Sequence, residues 1–168
     1  SEKRNMPHPN FICEWGRYMV APAQITIYKV IDVKEISRKN GRAKKWYIID
    51  GSFMNDLLDT WAIRQKWHVI PARDRGDKKM IKIWMAGSSC DSDDIYTGHG
   101  SSIILPDYDG NGGHGFYLVF LDSGAYQDPL ASHHCLLSSP LKIIAENGHI
   151  VVARKRESAE DVGKMFGW

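Results

Sequence analysis

Short runs rich in β-branched and aromatic residues recur along the chain, separated by polar stretches with turn character. "QITIYKVIDVKEI" (24–36) gives way to the polar "SRKNGRAKK" and resumes as "WYIID" (46–50), which predicts a β-hairpin turning at Asn40-Gly41. Further strands are predicted in "KKMIKIWMAG" (78–87), "SSIILP" (101–106), "GFYLVFLD" (115–122), "LKIIAENG" (141–148) and "HIVVARKRES" (149–158). Only "SFMNDLLDTWAIRQ" (52–65) offers helix formers at helical spacing, and the C-terminal "AEDVGKMFGW" reads as a turn or short helix with Trp168 packing back. So many strands and so little helix predict a mainly β domain, a β-barrel or sandwich with mixed or antiparallel pairing.

Composition narrows this picture without changing it. A chain of 168 residues, 43% hydrophobic and 25% charged, can bury one main core and carry at most a stub of a second domain. Its 22 basic and 20 acidic residues are too balanced to signal nucleic acid or an anionic membrane. The basic stretch "RKNGRAKK" (38–45) lacks the interleaved aromatics of a single-strand platform and reads as a solvated turn. Cys13, Cys90 and Cys135 are odd in number and widely spaced, which fits neither a disulfide framework nor a Cys-x-x-Cys motif and points to a reducing cytoplasm. No apolar stretch has the roughly 18 to 20 residues of a membrane span, and "SEKRNMPHPN" lacks an apolar signal core, so a soluble chain is expected.

Candidate chemistry concentrates in four places. In "CEWGR" (13–17), Gly16 permits close backbone approach to an anion and Arg17 supplies a forked, permanent cation suited to phosphate, with Glu14 facing a cationic part of the same ligand. The bland alternative is a surface ion pair beside a turn. "GSSCDSDD" (87–94) sets a thiol among three carboxylates directly after a strand, or is merely a polar loop. "DSGAY" (122–126) offers a phenol at a strand end, where a tyrosine can equally be half-buried packing. "YIIDGSFMND" (47–56) ends a strand in Asp-Gly and could be only a turn followed by a helix cap.

The order of these motifs is more specific than any one of them. Glu-x-Gly-Arg before "YMVAPA", Asp-Gly before "MNDLL", Gly-x-x-Cys-Asp-x-x-Asp and then Gly-Ala-Tyr resemble, from about Phe11 to about Ser158, the C-terminal part of the pyridoxal-phosphate decarboxylases of the alanine-racemase fold type. That family includes the ornithine, lysine, arginine and diaminopimelate decarboxylases. The resemblance implies that residues 1–20 are the terminal piece of a (β/α)8 barrel, including its last strand, completed by another chain, and that 21–168 are the β-barrel domain. It implies that Glu14 contacts the pyridine nitrogen of the cofactor, that Gly16 and Arg17 hold its phosphate, and that the Tyr126 hydroxyl reaches the same phosphate. Cys90 is implied at the reacting carbon in the other protomer's active site, where it governs reprotonation. Asp91 is implied at the far end of the substrate, Asp50 is a weaker candidate for that pocket, and Asp94 shapes the loop.

The chain departs from the family pattern in ways that bear on function. Trp15 replaces the usual proline, which frees a φ angle but removes no ligand group. "ASHHC" (131–135) stands where an asparagine or aromatic pair is usual; three adjacent residues cannot readily converge on one tetrahedral ion, so pocket lining is expected and no metal. "NGGHG" (111–115) is a loop before a strand, not a phosphate cradle. The family's Schiff-base lysine has no counterpart, since Lys29, Lys34, Lys44, Lys45, Lys78 and Lys79 all lack its context. Either the chain is one product of a split or processed decarboxylase whose partner chain supplies the lysine-bearing barrel, as a dimer of such pairs, or it is a non-catalytic regulatory or binding homologue. Diaminopimelate decarboxylases usually carry Cys-Glu and an arginine where Asp91 and Asp59 stand here. The loss of that arginine favours a basic amino acid (ornithine, lysine or arginine) over a substrate with a second carboxylate, with a diaminopimelate-like or secondary-pathway amino acid as the alternative.

Overall fold

In the strands, side chains on one face pack inward while their neighbours point out, and the resulting sheet curls until its edges approach. A computed structural model describes residues 7–36, 43–73, 76–96, 101–111 and 114–168. Its strands are β1 (Thr26–Glu35), β2 (Lys45–Ile49), β3 (Val69–Pro71), β4 (Met80–Ala86), β5 (Ile103–Pro106), β6 (Phe116–Phe120), β7 (Lys142–Glu146) and β8 (His149–Arg154). The first six form one sheet in the order β3-β6-β1-β2-β4-β5, and β7 and β8 form a separate hairpin. The pairing is mixed: β2 runs parallel to β4 and every other pair is antiparallel. The edge strands β3 and β5 come together, giving a nearly closed barrel.

The predicted β1–β2 hairpin forms, with Glu35 opposite Lys45, while its Asn40-Gly41 turn lies outside the described residues, as does most of the basic stretch 38–45. Tyr28 and Val30 of β1, Ile81, Ile83 and Met85 of β4, and Phe116, Leu118 and Phe120 of β6 all point inward. Aromatic rings fill the middle edge to face, Tyr28 on Phe120 at 5.4 Å and Tyr47 on Phe116 at 5.8 Å between centroids.

Among the described residues, four α-helices decorate the sheet: α1 (Gly16–Val20), α2 (Asp59–Ala62), α3 (Gln127–Leu130) and α4 (Ala159–Met165). The helix expected over 52–65 shrinks to the four residues of α2. The reason is local competition for backbone groups: the Ser52 amide donates to Asp56, the Met54 amide to the Ser52 hydroxyl and the Phe53 amide to Asp94. At the N-terminal end, the piece expected to close a (β/α)8 barrel lies partly outside the described residues. Residues 7–15 make no strand and α1 starts at Gly16. A strand exists only by pairing, and residues 7–15 pair with neither edge strand of the sheet, β3 or β5. The C-terminal expectation is met: Ser158 and Asp161 form a capping box on α4, and the Trp168 ring lies over Gly163.

Candidate functional site

The motif "CEWGR" enters α1 through Trp15, whose φ of −90° and ψ of 50° are open to a non-proline residue. A 3-10 turn at Ala21–Ala23 follows, and "DSGAY" is stitched to it: the Ser123 amide donates to Gln24 O and the Gly124 amide to Ala21 O, each at 2.9 Å. A Cβ on Gly124 would meet the carbonyls of Val20 and Ala21, so only glycine lets these two segments lie backbone to backbone. Tyr126 then turns with φ of +69°, a left-handed value uncommon for a residue with a side chain. The result brings the predicted cofactor residues together. The Tyr126 hydroxyl sits 3.6 Å from where a Gly16 Cβ would be, and the Arg17 guanidinium lies over the Tyr126 ring at 4.6 Å.

Two residues that the sequence did not single out for this role hold the arginine in place. Arg17 Nη2 donates to Asp59 Oδ2 at 2.6 Å, and the same oxygen accepts from Gln127 Nε2 at 2.8 Å. Asp59 and Gln127 are buried. The position where an arginine was missing is thus filled by the counter-ion of Arg17. Arg17 Nη1, by contrast, is buried with no hydrogen-bond partner. Cys13, Glu14, Trp15, Gly16, Met19 and Tyr126 line an open hollow of about 550 Å³, which Arg17 reaches only through the Tyr126 ring it stacks on. An acid, a glycine and a phenol around a hollow, with an orphaned guanidinium donor stacked on that phenol, are a donor set a phosphorylated, cationic ring would use, so pyridoxal phosphate fits the residues present.

Cys90 and Asp91 do not line that hollow. They sit on the loop after β4, which is pinned from beneath by Asp94: its buried carboxylate accepts from the Phe53 amide at 2.8 Å and the Ser89 amide at 3.2 Å. Asp94 shapes the loop, as expected. Asp91 Oδ2 accepts from His134 Nε2 at 3.0 Å, and Cys90 Sγ lies 3.4 Å from Cys135 Sγ. The His134 carbonyl is held in turn by Asn55 Nδ2 at 3.1 Å, and Asn55 Oδ1 accepts from the Ser132 hydroxyl. The segments "MNDLL" and "ASHHC" therefore clasp the Cys90-Asp91 loop. His133 turns the other way, to Glu157 at 2.7 Å; the Ser139 amide and His133 together hold the Glu157 carboxyl below its ordinary range. With the two histidines diverging, no group of three metal-binding side chains forms among the described residues. Asp50 takes a structural part instead of joining Asp91: its Oδ1 accepts from the Lys29 amide at 2.8 Å, closing the end of the β1–β2 pair.

Residues 17–124 match the model of the pyridoxal-dependent decarboxylase C-terminal sheet domain. This chain belongs to that decarboxylase family. Among curated decarboxylases it is 31% identical to the diaminopimelate decarboxylase of Buchnera aphidicola subsp. Acyrthosiphon pisum, over 89% of this chain and 35% of that protein. It is 27% identical to the L-glutamyl-[BtrI acyl-carrier protein] decarboxylase of Niallia circulans, over 93% of this chain and 35% of that one. Among solved decarboxylase structures, that of diaminopimelate decarboxylase from M. jannaschii in co-complex with L-lysine is similar with a TM-score of 0.75 at 26% identity, covering 95% of this chain and 33% of that one. The chain spans about a third of the length of the curated decarboxylases it matches. Among the described residues, no helix is long and apolar enough to cross a membrane.

Proposed function

We propose that this chain is the sheet domain of an amino-acid decarboxylase in which Glu14, Gly16, Arg17 and Tyr126 complete a pyridoxal phosphate site, while Cys90 and Asp91 serve the site of a neighbouring protomer. The observation that carries the reading is the Arg17 guanidinium, tethered by Asp59 through one nitrogen, left with the other unpaired, and stacked on the Tyr126 ring that lines the hollow. Pyridoxal phosphate supplies an electron sink for the charge left when carbon dioxide departs. Arg17, the Gly16 backbone and the Tyr126 hydroxyl hold its phosphate. Glu14 keeps a proton on the ring nitrogen. Cys90 delivers a proton to the reacting carbon, and Asp91 receives the cationic far end of the substrate. The chain works only when joined to a lysine-bearing barrel, whether or not the link is covalent, and two such units pair to exchange their loops. We further propose a cytoplasmic setting, small-molecule amino acids as the only ligands besides the cofactor, and no nucleic acid.

The substrate is an amino acid with a distal ammonium or guanidinium. Diaminopimelate shares the ammonium, so the relatives are compatible with Asp91 in this role. A second carboxylate would find no cation at position 59, where the side chain is a buried anion bound to Arg17. Lysine, ornithine and arginine are therefore favoured. The test separates binding from chemistry in the joined, cofactor-loaded enzyme. Arg17→Ala is expected to weaken pyridoxal phosphate binding by about 10- to 100-fold, the loss of one charge-assisted hydrogen bond. Glu14→Gln is expected to keep the cofactor and lose turnover, because its charge matters most as the carbanion develops. Wild-type affinity in the first and wild-type turnover in the second would overturn the reading.

A further inference from the structure

Two of the three cysteines stand with their sulfurs 3.4 Å apart although they are 45 positions apart in sequence. This pairing has nothing to do with holding the cofactor, and nothing in the reaction proposed above uses Cys135. Both cysteines are exposed and free. Each is presented by a segment that is anchored on its own account. Cys90 rides on the loop pinned by Asp94 through the Phe53 and Ser89 amides. Cys135 follows His134, whose carbonyl is held by Asn55 and whose ring is held by Asp91. Cys135 and Leu136 are consecutive left-handed residues, both with φ of 57°, a costly conformation for side chains bearing a Cβ. The contact is thus built by four hydrogen bonds, one of which ties the two segments directly through His134 and Asp91, and a strained turn, and a disulfide needs the sulfurs to close from contact to bonding distance.

We propose that Cys90 and Cys135 are a reversible dithiol, a site that a small hydroperoxide closes to a disulfide. The Cys90 thiolate attacks one oxygen of hydrogen peroxide; the O–O bond breaks, hydroxide leaves with the proton shed by the thiol as water, and the sulfur becomes a sulfenic acid. The Cys135 thiolate attacks that sulfur; an S–S bond forms, the S–O bond breaks, and the second hydroxide takes the Cys135 proton to leave as a second water. Two thiols have lost two electrons and one peroxide has gained them. The hydrogen bond with Cys90 raises the Cys135 thiol above its usual range, which holds back its ionisation, so the 3.4 Å approach of the two sulfurs, not a lowered thiol pKa, drives the resolving step. In the disulfide Cys90 has no proton to deliver, so oxidation stops the reaction; this consequence, unlike the bond itself, rests on the role proposed for Cys90. Thiol reductants reverse it.

The experiment treats the active, cofactor-loaded enzyme with hydrogen peroxide and follows both turnover and peptides from a non-reducing digest. Wild type is expected to yield a linked pair of peptides containing Cys90 and Cys135, lighter by two hydrogens than the separate peptides, to lose turnover, and to regain both thiols and turnover in dithiothreitol. Cys135→Ser and Cys135→Ala, each compared with its own reduced form, are expected to lose turnover through oxidation of Cys90 alone to a sulfinic acid, with no recovery in dithiothreitol. Cys13→Ser is expected to oxidise and recover as wild type does. Oxidation of Cys90 in wild type without the Cys135 link, or a link to Cys13 in its place, overturns the proposal. A linked pair that leaves turnover intact upholds the dithiol and removes Cys90 from the reaction.

Discussion

Asp59 decides how Arg17 can act from 42 positions away. Its carboxylate is buried and takes two charge-assisted or amide donors on one oxygen, while its backbone amide donates back to Gln127 Oε1 at 3.2 Å. Removing it leaves a guanidinium without its counter-charge and takes one acceptor from the buried Gln127 amide, which keeps Ala125 O. Asp59→Ala is therefore expected to destabilise the protein by about 2–4 kcal/mol in urea unfolding, and by clearly less in an Arg17→Ala background, because the two residues act as a unit. Equal costs in both backgrounds would show that the pair is incidental. The candidate residues themselves were legible: Glu14, Gly16, Arg17 and Tyr126 do converge, and Cys90 with Asp91 share one loop. What positions them was not legible, because Asp59, Gln127 and His134 act through contacts tens of residues away, and no local spacing announces them. Asp50, a weaker pocket candidate by resemblance alone, also has a local part that its turn sequence suggested, since the Lys29 amide donates to its carboxylate at the strand end.

Between β2 and α2, the turn at 52–58 concentrates the same problem at the level of an element. Phe53, Met54, Leu57 and Leu58 have helical spacing, yet the segment is a chain of side-chain-to-backbone bonds ending on Asp56 and Asp94. Strand alternation was readable in β1, β2 and β4, which bury one face; β3 was missed because three residues carry no period, and pairing with β6 makes them a strand. Burial, which outweighs the Ser52 amide bond, raises the Asp56 carboxyl to about 6 from an ordinary value of 3.8. The sign follows. The fold prefers neutral Asp56, so its contribution is full below pH 3.8 and is lost as pH rises through about 6, by on the order of 3 kcal/mol. Asp128, Glu157 and Asp161, whose carboxyls are lowered by their partners, act oppositely and at lower pH. Asp56→Asn is expected to flatten unfolding free energy between pH 4 and 6 and to raise it at pH 7; an unchanged slope would show that Asp56 titrates normally.

For the whole molecule, the distribution of exposed apolar surface is the main fact. Ile25 is exposed just before β1, Ile27 and Ile31 line the outside of β1, Tyr18, Met19 and Val20 stand out from α1, and the β7–β8 hairpin exposes Ile143, Ile144, Ile150, Val151 and Val152. A two-stranded ribbon with apolar side chains on both faces is marginal in water by itself, and a patch of this extent asks for a cover. The chain as it stands is expected to self-associate on gel filtration at micromolar concentration and to become monodisperse when joined to the barrel; a monodisperse monomer without it would argue against that interface. The strand order carries a consequence of another kind. The central strand β1 has β2 on one side and β6 on the other, and Thr26 meets Phe120 only after about 90 further residues have been made. At usual ribosomal speeds that interval is about 5–20 s, during which the nascent chain shows an unpaired, apolar strand edge to every other chain nearby. Guarding that edge during synthesis then bears on yield, and raising or lowering elongation rate between β2 and β6 is expected to alter the amount of native protein without altering a single residue of it.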